Sequence, residues 1–483
     1  MKAQHSRDPL ITALTRRSFL EQGSYGLGAL ALAGLMGPDA SGSETDSTSG
    51  QWKGVIDKPQ TPVKTNRVIH LCMAGGPSQF ETLDWKPELK RLHGQPFPDS
   101  LTHGQQLAQL QNTKLLAFGP VTEFRKHGQS GQEVSDYLPH IASIADEIAI
   151  IRSLHTEQIN HDPAQAFMNS GAIVKGRPSM GSWLLYGLGA ETRNLPGFIV
   201  LMSRTAGVGA QPVSARQWSA GFLPSRFQGV LFQSRGEAVH YVGNPEGVCQ
   251  STQRLVVDEI NRLNGLRAEG SPDPELLTRI SQYEMAFRMQ SSVPELTEFS
   301  GEPKYLLELY GVKEPGDGSF ASNCLLARRL AERGVRFIQL YHRGWDHHGD
   351  IAKNMEIVAK ETDQACAALV KDLKQRGMLE DTLIIWGGEF GRLPTNQGSV
   401  GRDHNPRGFT MWLAGGGSKG GQMYGATDEF GYNAVENRMS VPDLHATCLH
   451  LLGIDHLKLT FRHMSRDMRL TDVSGTVVKD LIA

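Results

Sequence analysis

The sequence predicts an α/β protein with a mostly parallel central sheet and helices on both faces. Its apolar residues fall into short uninterrupted runs, which alternate with longer segments where they recur three and four positions apart. Uninterrupted runs are typical of strands buried on both faces, and the wider spacing is typical of helices. Strands that alternate with helices pair in parallel. The 483 residues, 39% of them hydrophobic, are enough to build one large core.

Strand and helix patterns alternate through the first half of the chain. Predicted strands cover residues 67–74, 148–151 and 198–201, and predicted helices cover 138–145, 165–168 and 181–187. The first strand stops at a sharp Gly-Gly-Pro loop. Residues 204–243 are irregular and rich in glycine, proline, serine and aromatic side chains, so we expect an insertion that shapes the rim of a pocket.

The second half continues the alternation with longer helices. Two helices are expected within 255–289, and others over 320–333, 351–376 and 441–452. Strands are expected over 335–340, 382–386 and 410–414. The order again requires a parallel sheet covered on both faces.

The N-terminus carries a pair of arginines, Arg16 and Arg17, before a mildly apolar stretch rich in glycine and alanine. That stretch is too short and too glycine-rich for a stable membrane span. We expect a twin-arginine signal over 1–36, a flexible linker over 37–64 and a catalytic domain over 65–483. The protein would then use the twin-arginine translocation machinery and reach the periplasm or the exterior. The alternative is a disordered basic tail.

Charge and cysteine content exclude some classes of function. The formal net charge is −2, with no clustered basic face of the kind that binds nucleic acid. The five cysteines are scattered and never form a C-x-x-C pair. They are best explained as small buried hydrophobic residues.

Acidic residues and histidines gather where predicted strands end. Asp346 and His348 follow the strand over 335–340, Glu389 follows the strand over 382–386, and Asp403 and His404 lie in the next loop. Ligands of α/β proteins bind beyond the carboxyl ends of the strands. Carboxylate and imidazole ligands suit divalent ions, with zinc or manganese ahead of calcium or magnesium. We therefore expect one or two such ions.

Arg392 lies three residues after Glu389 and allows two interpretations. Its guanidinium suits a planar oxyanion such as phosphate or sulfate. It could equally clamp a carboxylate of the protein. Asp403 and His404 are adjacent, so one could ligate a metal while the other orients it.

Two segments offer candidate nucleophiles. Thr156 precedes His161-Asp162-Pro163, where Asp162 suits the N-cap of a helix and would aim its positive end toward Thr156. His161 could ligate a metal or steady the oxygens of a substrate. Ser78 follows two glycines that could cradle an anion.

These segments together resemble a family of twin-arginine-exported bacterial proteins, the domain of unknown function 1501, which is often called sulfatase-like and looks like a branch of the alkaline phosphatase superfamily. The matching segments cover about 65–480: M-A-G-G-P-S-Q-F-E-T-L-D-W-K-P, N-H-D-P-A with M-N-S-G, G-W-D-H-H, and G-G-E-F-G-R-L-P with G-R-D-H-N-P. The resemblance implies an alkaline-phosphatase-like sheet with metals at its carboxyl edge.

The resemblance also assigns roles. Asp346 and His348 would bind one metal, Glu389 would replace the usual aspartate, and His404 would be the late histidine ligand. Glu81 or Asp84 would substitute for the missing acid after strand one. The segment that begins at Thr156 resembles a phosphodiesterase nucleophile segment.

The expected function is metal-dependent hydrolysis of a small-molecule or glycan phosphate or sulfate ester. Thr156, Ser78 or a metal-bound hydroxide would attack, and Arg392 or His161 would steady the oxygens. No C-x-P-x-R or S-x-P-x-R segment is present, which speaks against formylglycine chemistry. The alternative is a binding module that kept the fold and lost the reaction.

Overall fold

The computed structural model describes residues 53–110, 113–239, 242–244, 247–269, 274–398 and 400–483. The signal predicted over 1–36 and most of the predicted linker lie outside these residues. The strands are β1 (Arg67–Met73), β2 (Phe124–His127), β3 (Gln132–Ser135), β4 (Ile148–His155), β5 (Phe198–Met202), β6 (Val230–Phe232), β7 (Phe337–His342), β8 (Thr382–Gly387), β9 (Gly391–Arg392), β10 (His404–Asn405), β11 (Phe409–Ala414), β12 (Gln422–Tyr424), β13 (Ala426–Thr427), β14 (Ala434–Glu436), β15 (Met439–Ser440), β16 (Phe461–His463) and β17 (Arg466–Met468).

Helices connect the strands of the main sheet and cover both of its faces. The α-helices are α1 (Pro87–Arg91), α2 (Asp99–Thr102), α3 (Pro139–Ala142), α4 (His161–Ser170), α5 (Met180–Leu188), α6 (Gln250–Glu269), α7 (Pro274–Thr297), α8 (Lys304–Tyr310), α9 (Phe320–Glu332), α10 (Ile351–Gln375) and α11 (Val441–Leu451). Within the described residues, no helix has the length and apolarity needed to cross a membrane.

The central sheet has nine strands and is mostly parallel, as predicted. Its order is β12-β4-β11-β8-β1-β7-β5-β6, and β15 also pairs with β4. Only β11 pairs in the antiparallel sense, with β4 on one side and β8 on the other. The carboxyl ends of β1, β4, β7 and β8 therefore meet at one edge, and β11 begins there.

Side chains of β1 show how the sheet is covered. Ile69, Leu71 and Met73 join a core with α9 and α10, whereas Val68 and Cys72 join a second core with α5 and α11. The alternation follows from the twofold repeat of a strand, and all five residues are buried because helices cover both faces.

Predicted elements match observed ones best where apolar runs are long. β1, β7, β8 and β11 lie within two residues of their predicted bounds. The predicted helix over 138–145 shrinks to α3, with a 3-10 turn at Ala145–Glu147. β4 runs on to His155, and α4 begins at His161 with Asn160 as its N-cap. Asp162 is therefore in the first turn rather than at the N-cap, and it pairs with Arg216 at 3.1 Å.

Candidate metal centre

Four side chains meet at the carboxyl edge of the sheet, and we call them the His/Asp cluster. Asp346 and His348 lie in the loop after β7, His161 is the first residue of α4 after β4, and His404 lies on β10 before β11. One potential ligand atom from each lies within 4.8 Å of the other three. Segments far apart in sequence thus supply one compact set of ligands.

The geometry centres on one carboxylate oxygen. Asp346 Oδ1 lies 2.9 Å from His348 Nε2, 3.2 Å from His161 Nε2 and 3.4 Å from His404 Nε2. His348 Nε2 and His404 Nε2 are 3.0 Å apart. All three rings present the same nitrogen to one point.

The other nitrogen of each ring has a partner of its own. His161 Nδ1 lies 2.6 Å from Glu389 Oε1, His404 Nδ1 lies 2.8 Å from the Ile159 carbonyl oxygen, and His348 Nδ1 lies 2.5 Å from Gln397 Oε1. Because these partners are acceptors, each Nδ1 carries a proton, and a neutral ring keeps a lone pair on Nε2. Lone pairs and a carboxylate oxygen that converge in this way form a ligand set for a cation.

Two contacts show that the donor set fits a divalent ion. His161 Nε2 is buried and lies 3.2 Å from Asp346 Oδ1, but it makes no well-formed hydrogen bond among the described residues. Two imidazole nitrogens 3.0 Å apart repel one another when both carry a proton or both carry a lone pair. A shared ion would give His161 Nε2 a partner and would remove the repulsion between the two imidazole nitrogens. Three imidazoles with one carboxylate suit zinc or manganese.

Charges around Asp346 keep it ionised. Burial raises the pKa of this carboxyl, but the charge of Arg392 and contacts with the three histidines, which donate to Asp346 when their rings are protonated, outweigh that effect and hold the pKa well below its usual range. Burial lowers the pKa of His161, yet its contacts with Asp346 and Glu389 favour the protonated ring and raise the pKa above its usual value overall. Burial lowers the pKa of His404, and the charge of Arg392 adds to this effect.

One side of the His/Asp cluster is open. The His348 side chain is 25% exposed, whereas that of His404 is 5% exposed. Phe390 packs against the rings of His161 and His404, with ring centroids 4.9 and 4.5 Å away. A small molecule can therefore approach from the His348 side, while Phe390 closes the other.

Glu389 was predicted as a metal ligand, and the structure gives its oxygens to other partners. Oε1 lies 2.6 Å from His161 Nδ1 and accepts from the Gly75 amide at 3.0 Å. Gln165 Nε2 donates to the same oxygen at 3.3 Å. Glu389 therefore orients the candidate ligand His161, as carboxylates commonly orient metal-binding histidines.

Gly75, the first of the two glycines after β1, serves this arrangement through its backbone. Gly75 has a φ of +120°, and a Cβ there would lie 2.5 Å from the Asp346 nitrogen. Only glycine permits both that backbone and that approach. The Gly75 amide is consequently used by Glu389 rather than left for an anion.

Arg392 is a carboxylate clamp, which was one of its two predicted roles. The side chain is fully buried, and Nη2 donates to Asp346 Oδ1 at 2.7 Å. Nε donates to the Gly76 carbonyl at 2.9 Å, and Nη2 also donates to the Gly75 carbonyl. These contacts fix Asp346 against the loop after β1, so the guanidinium does not face a substrate.

Asp403, also predicted as a ligand, supports the loop that carries His404. Its Oδ1 accepts from the His404 amide at 2.9 Å, and Oδ2 accepts from the Gln109 and Leu110 amides at 2.7 and 3.2 Å. Backbone donors engage both oxygens of this buried carboxylate, which agrees with the predicted alternative in which Asp403 orients His404 and does not itself ligate.

Glu81, Asp84 and Ser78 belong to buried networks other than the His/Asp cluster. Ser78 and Glu81 share one network, and Asp84 belongs to another. Glu81 Oε1 forms an ion pair with Arg402 at 2.8 Å, and both side chains are fully buried. The Ser78 hydroxyl donates to Glu81 Oε2. Asp84 pairs with Lys86 at 3.2 Å and with Arg152 at 3.7 Å. Their cationic partners compensate their charges, which corrects the expectation that Glu81 or Asp84 completes a metal site.

Thr156 lies just beyond β4, at the edge of the sheet that carries the His/Asp cluster. Its amide donates to the Pro406 carbonyl at 2.8 Å, and its hydroxyl accepts from the Gln158 amide at 3.4 Å. Only 8% of the residue is exposed. Among the described residues, no hydrogen bond joins Thr156 to the cluster, so its role as a nucleophile stays a prediction.

Three glutamines around the His/Asp cluster were missed by the sequence analysis. Gln211 Nε2 donates to Asp346 Oδ2 at 2.7 Å, Gln397 contacts His348, and Gln165 contacts Glu389. Amides carry no charge, and nothing in the local sequence marks Gln211 or Gln397 as a partner of these residues. Only Gln165 had a signal, since it lies four residues after His161 and on the same side of α4.

The segment predicted as a pocket rim does line a cavity. A cavity of about 1060 Å³ lies between β5, β6 and the α6–α7 hairpin, and its lining includes Trp218, Phe227 and Leu231. No residue of the His/Asp cluster lines it. The segment over 204–243 reaches the cluster through Gln211.

Residues 65–482 match the model of the family described as Protein of unknown function (DUF1501), and the chain belongs to that family. No curated protein matches the sequence.

Solved structures with a similar fold come from several bacteria. A PsFucS1 sulfatase from Pseudoalteromonas sp. is 13% identical, with a TM-score of 0.32, 81% of this chain covered and 68% of that chain. A Vibrio parahaemolyticus protein of the alkaline phosphatase superfamily is 9% identical, with a TM-score of 0.34 and coverages of 82% and 69%. The periplasmic domain of Escherichia coli EcEptC, in complex with Zn, is 8% identical, with a TM-score of 0.31 and coverages of 82% and 84%.

Proposed function

We propose that this member of the family is a metal-dependent hydrolase of phosphate or sulfate esters. One observation carries the proposal, namely the convergence of three Nε2 atoms and Asp346 Oδ1 within 4.8 Å. His161, Asp346, His348 and His404 would hold one ion, with zinc or manganese favoured by this ligand set. Such an ion supplies a Lewis acid for the ester oxygen and lowers the pKa of a bound water.

The charge balance of the site favours an anionic substrate. Asp346 and Glu389 contribute two negative charges beside the positive charge of Arg392. A divalent ion therefore leaves a net positive charge at the open side near His348. Electrostatic attraction would bring a phosphate or sulfate ester of a small molecule or glycan to that side.

A water molecule is the proposed nucleophile. The Ser78 hydroxyl is buried and committed to Glu81. The Thr156 hydroxyl has its contact with the Gln158 amide. Neither hydroxyl donates to a base of the His/Asp cluster in the described part of the chain, whereas the cluster is open to solvent at His348.

A non-catalytic binding module is the second candidate. The burial of Ser78 and Arg392 favours it, because neither side chain can act on a substrate where it stands. Both candidates bind a metal and an anion, but only the hydrolase turns the ester over. A panel of aryl phosphates and sulfates, offered to the zinc- or manganese-loaded protein with and without a chelator, separates them. Chelator-sensitive turnover supports the hydrolase, and tight anion binding without turnover supports the module.

Export through the twin-arginine pathway is part of the proposal. It rests on Arg16 and Arg17 and on the apolar stretch that follows them. That pathway carries folded proteins, so the metal would be loaded before export. Replacing both arginines by lysine should leave the protein in the cytoplasm. Cell fractionation measures the location of the protein. Unchanged export of that variant would reject the assignment.

A further inference from the structure

A small cavity with a few polar groups in a mostly apolar lining lies behind the His/Asp cluster. It offers about 20 Å³ to the centre of a water-sized sphere and is lined by residues that include Glu389, Gln165, Asn169 and Tyr341. A water needs roughly 10–15 Å³ measured in this way. The cavity therefore has room for one water molecule.

Two polar atoms around this cavity lack a well-formed hydrogen bond. Tyr341 Oη and Gln165 Oε1 are buried without one among the described residues, although the Asn169 and Cys72 side chains lie near the phenol. Tyr341 is 1% exposed and Gln165 is 3% exposed. A buried polar atom left unpaired costs about 1–3 kcal/mol, so protein interiors rarely keep two beside an empty space.

The available donors and acceptors match those of one water. Burial is the main cause that raises the pKa of Tyr341 well above its usual value, so the phenol keeps its proton and donates. Gln165 Oε1 accepts, and the Glu389 carboxylate that lines the same cavity accepts as well. A water can take one hydrogen from Tyr341 and give its own two to these acceptors.

We propose that an internal water occupies this cavity and that Tyr341, through the water, is a positioning residue for Glu389. The proposal rests on the metal centre proposed above. Gln165 Nε2 also donates to Glu389 Oε1 at 3.3 Å, so the water and the amide together fix the carboxylate. Glu389 in turn lies 2.6 Å from His161 Nδ1 and directs Nε2 of that ring into the His/Asp cluster. A hydroxyl in the core of the sheet thus sets the geometry of a metal ligand.

Tyr341→Phe removes the donor and keeps the ring. Tyr310→Phe is the matched control, because Tyr310 is equally buried but its hydroxyl donates to Asp372 at 3.0 Å, in a different network. Crystal structures of the parent and of Tyr341→Phe would show the water, and competition with a chromophoric chelator would give the zinc affinity of all three proteins. Should Tyr341→Phe fail to fold, Gln165→Met removes the acceptor instead.

We expect a water in the parent cavity, and zinc affinity about tenfold weaker in Tyr341→Phe or Gln165→Met. Tyr310→Phe should lower the Tm and leave zinc affinity as in the parent. An empty parent cavity, or a Tyr341→Phe protein that binds zinc as tightly as the parent, overturns the inference. If the parent holds the water and binds no zinc, the metal centre is rejected while the water site stands.

Discussion

His161 Nδ1 lies 2.6 Å from Glu389 Oε1, and this contact turns the other nitrogen of the ring toward Asp346 Oδ1, 3.2 Å away. The pair joins the end of β8 to the start of α4. It fixes both the tautomer and the orientation of the histidine. A ring held in this way can ligate a metal without losing freedom when the metal arrives.

Neutralising Glu389 should therefore weaken metal binding. We expect Glu389→Gln to lower zinc affinity by about 10- to 100-fold, because the amide leaves the His161 proton without its charged partner. The measurement is competition with a chelator. Glu361→Gln is the matched control, since Glu361 pairs with His342 at 2.7 Å outside the His/Asp cluster. Equal losses in both variants would remove the special role of Glu389.

Removing the Arg392 side chain should destabilise the metal-free protein. Arg392→Met removes the cationic partner of the Asp346 carboxylate and leaves several buried backbone carbonyls without their donor, so we expect a loss of about 3 kcal/mol or more in the free energy of unfolding. Added zinc should restore part of it, since a bound ion stabilises the folded state. Denaturant unfolding checks both. Arg262→Met, at an exposed pair with Glu259, should change stability far less. A loss that zinc does not reduce would contradict this account of Asp346.

The raised pKa of His161 should appear as pH-dependent metal binding. Since a ligand must lose its proton first, zinc affinity should increase as the pH rises toward the pKa of His161, and binding should release a proton below that pKa. In the metal-free protein, the raised pKa is stabilising below about pH 6.5, and this contribution is lost as the pH rises through the folded-state pKa. Calorimetry in buffers of different ionisation enthalpy measures the release. Finding the same release in His161→Ala would assign the proton to another group.

The two hydroxyl variants test how the ester is attacked. If water attacks, Thr156→Ala should keep turnover within about tenfold of the parent, because no covalent step is lost. Ser78→Ala should lower stability through the Glu81 network and leave turnover similar. Steady-state kinetics on an aryl ester measures both. A drop of about a hundredfold or more in Thr156→Ala, with metal content unchanged, would make Thr156 the nucleophile.

The sheet and three members of the His/Asp cluster were predictable because their signals are local. Long apolar runs define β1, β7 and β8, and Asp346 and His348 directly follow one of them. Parallel strands then bring distant loops to one edge, which places His404 there as well. The partners of Glu81 and Asp84 were not predictable in this way, and the sequence left two roles open for Arg392. The local sequence does not distinguish an acid that forms a buried ion pair from an acid that binds a metal. Only the partner across the fold, Arg402 for Glu81, distinguishes them.

The start of α4 and the contacts of the glutamine side chains were also not predictable from the sequence. Asp162 has the residue type of an N-cap, but Asn160 is the residue with the extended backbone, so the helix begins two residues earlier than predicted. Gln211 reaches Asp346 from the irregular segment after β5, where no periodic pattern indicates a direction. Such contacts depend on tertiary packing rather than on local preference.

The central claim is that His161, Asp346, His348 and His404 hold one divalent ion. Elemental analysis of the protein, purified without chelator and dialysed after exposure to Zn²⁺ and Mn²⁺, tests it most directly. We expect about one equivalent per chain in the parent and a loss of most of it in His404→Ala, which lacks one ligand of a four-ligand set. A parent protein that retains less than about a tenth of an equivalent would contradict the account, as would a His404→Ala protein that retains the full amount.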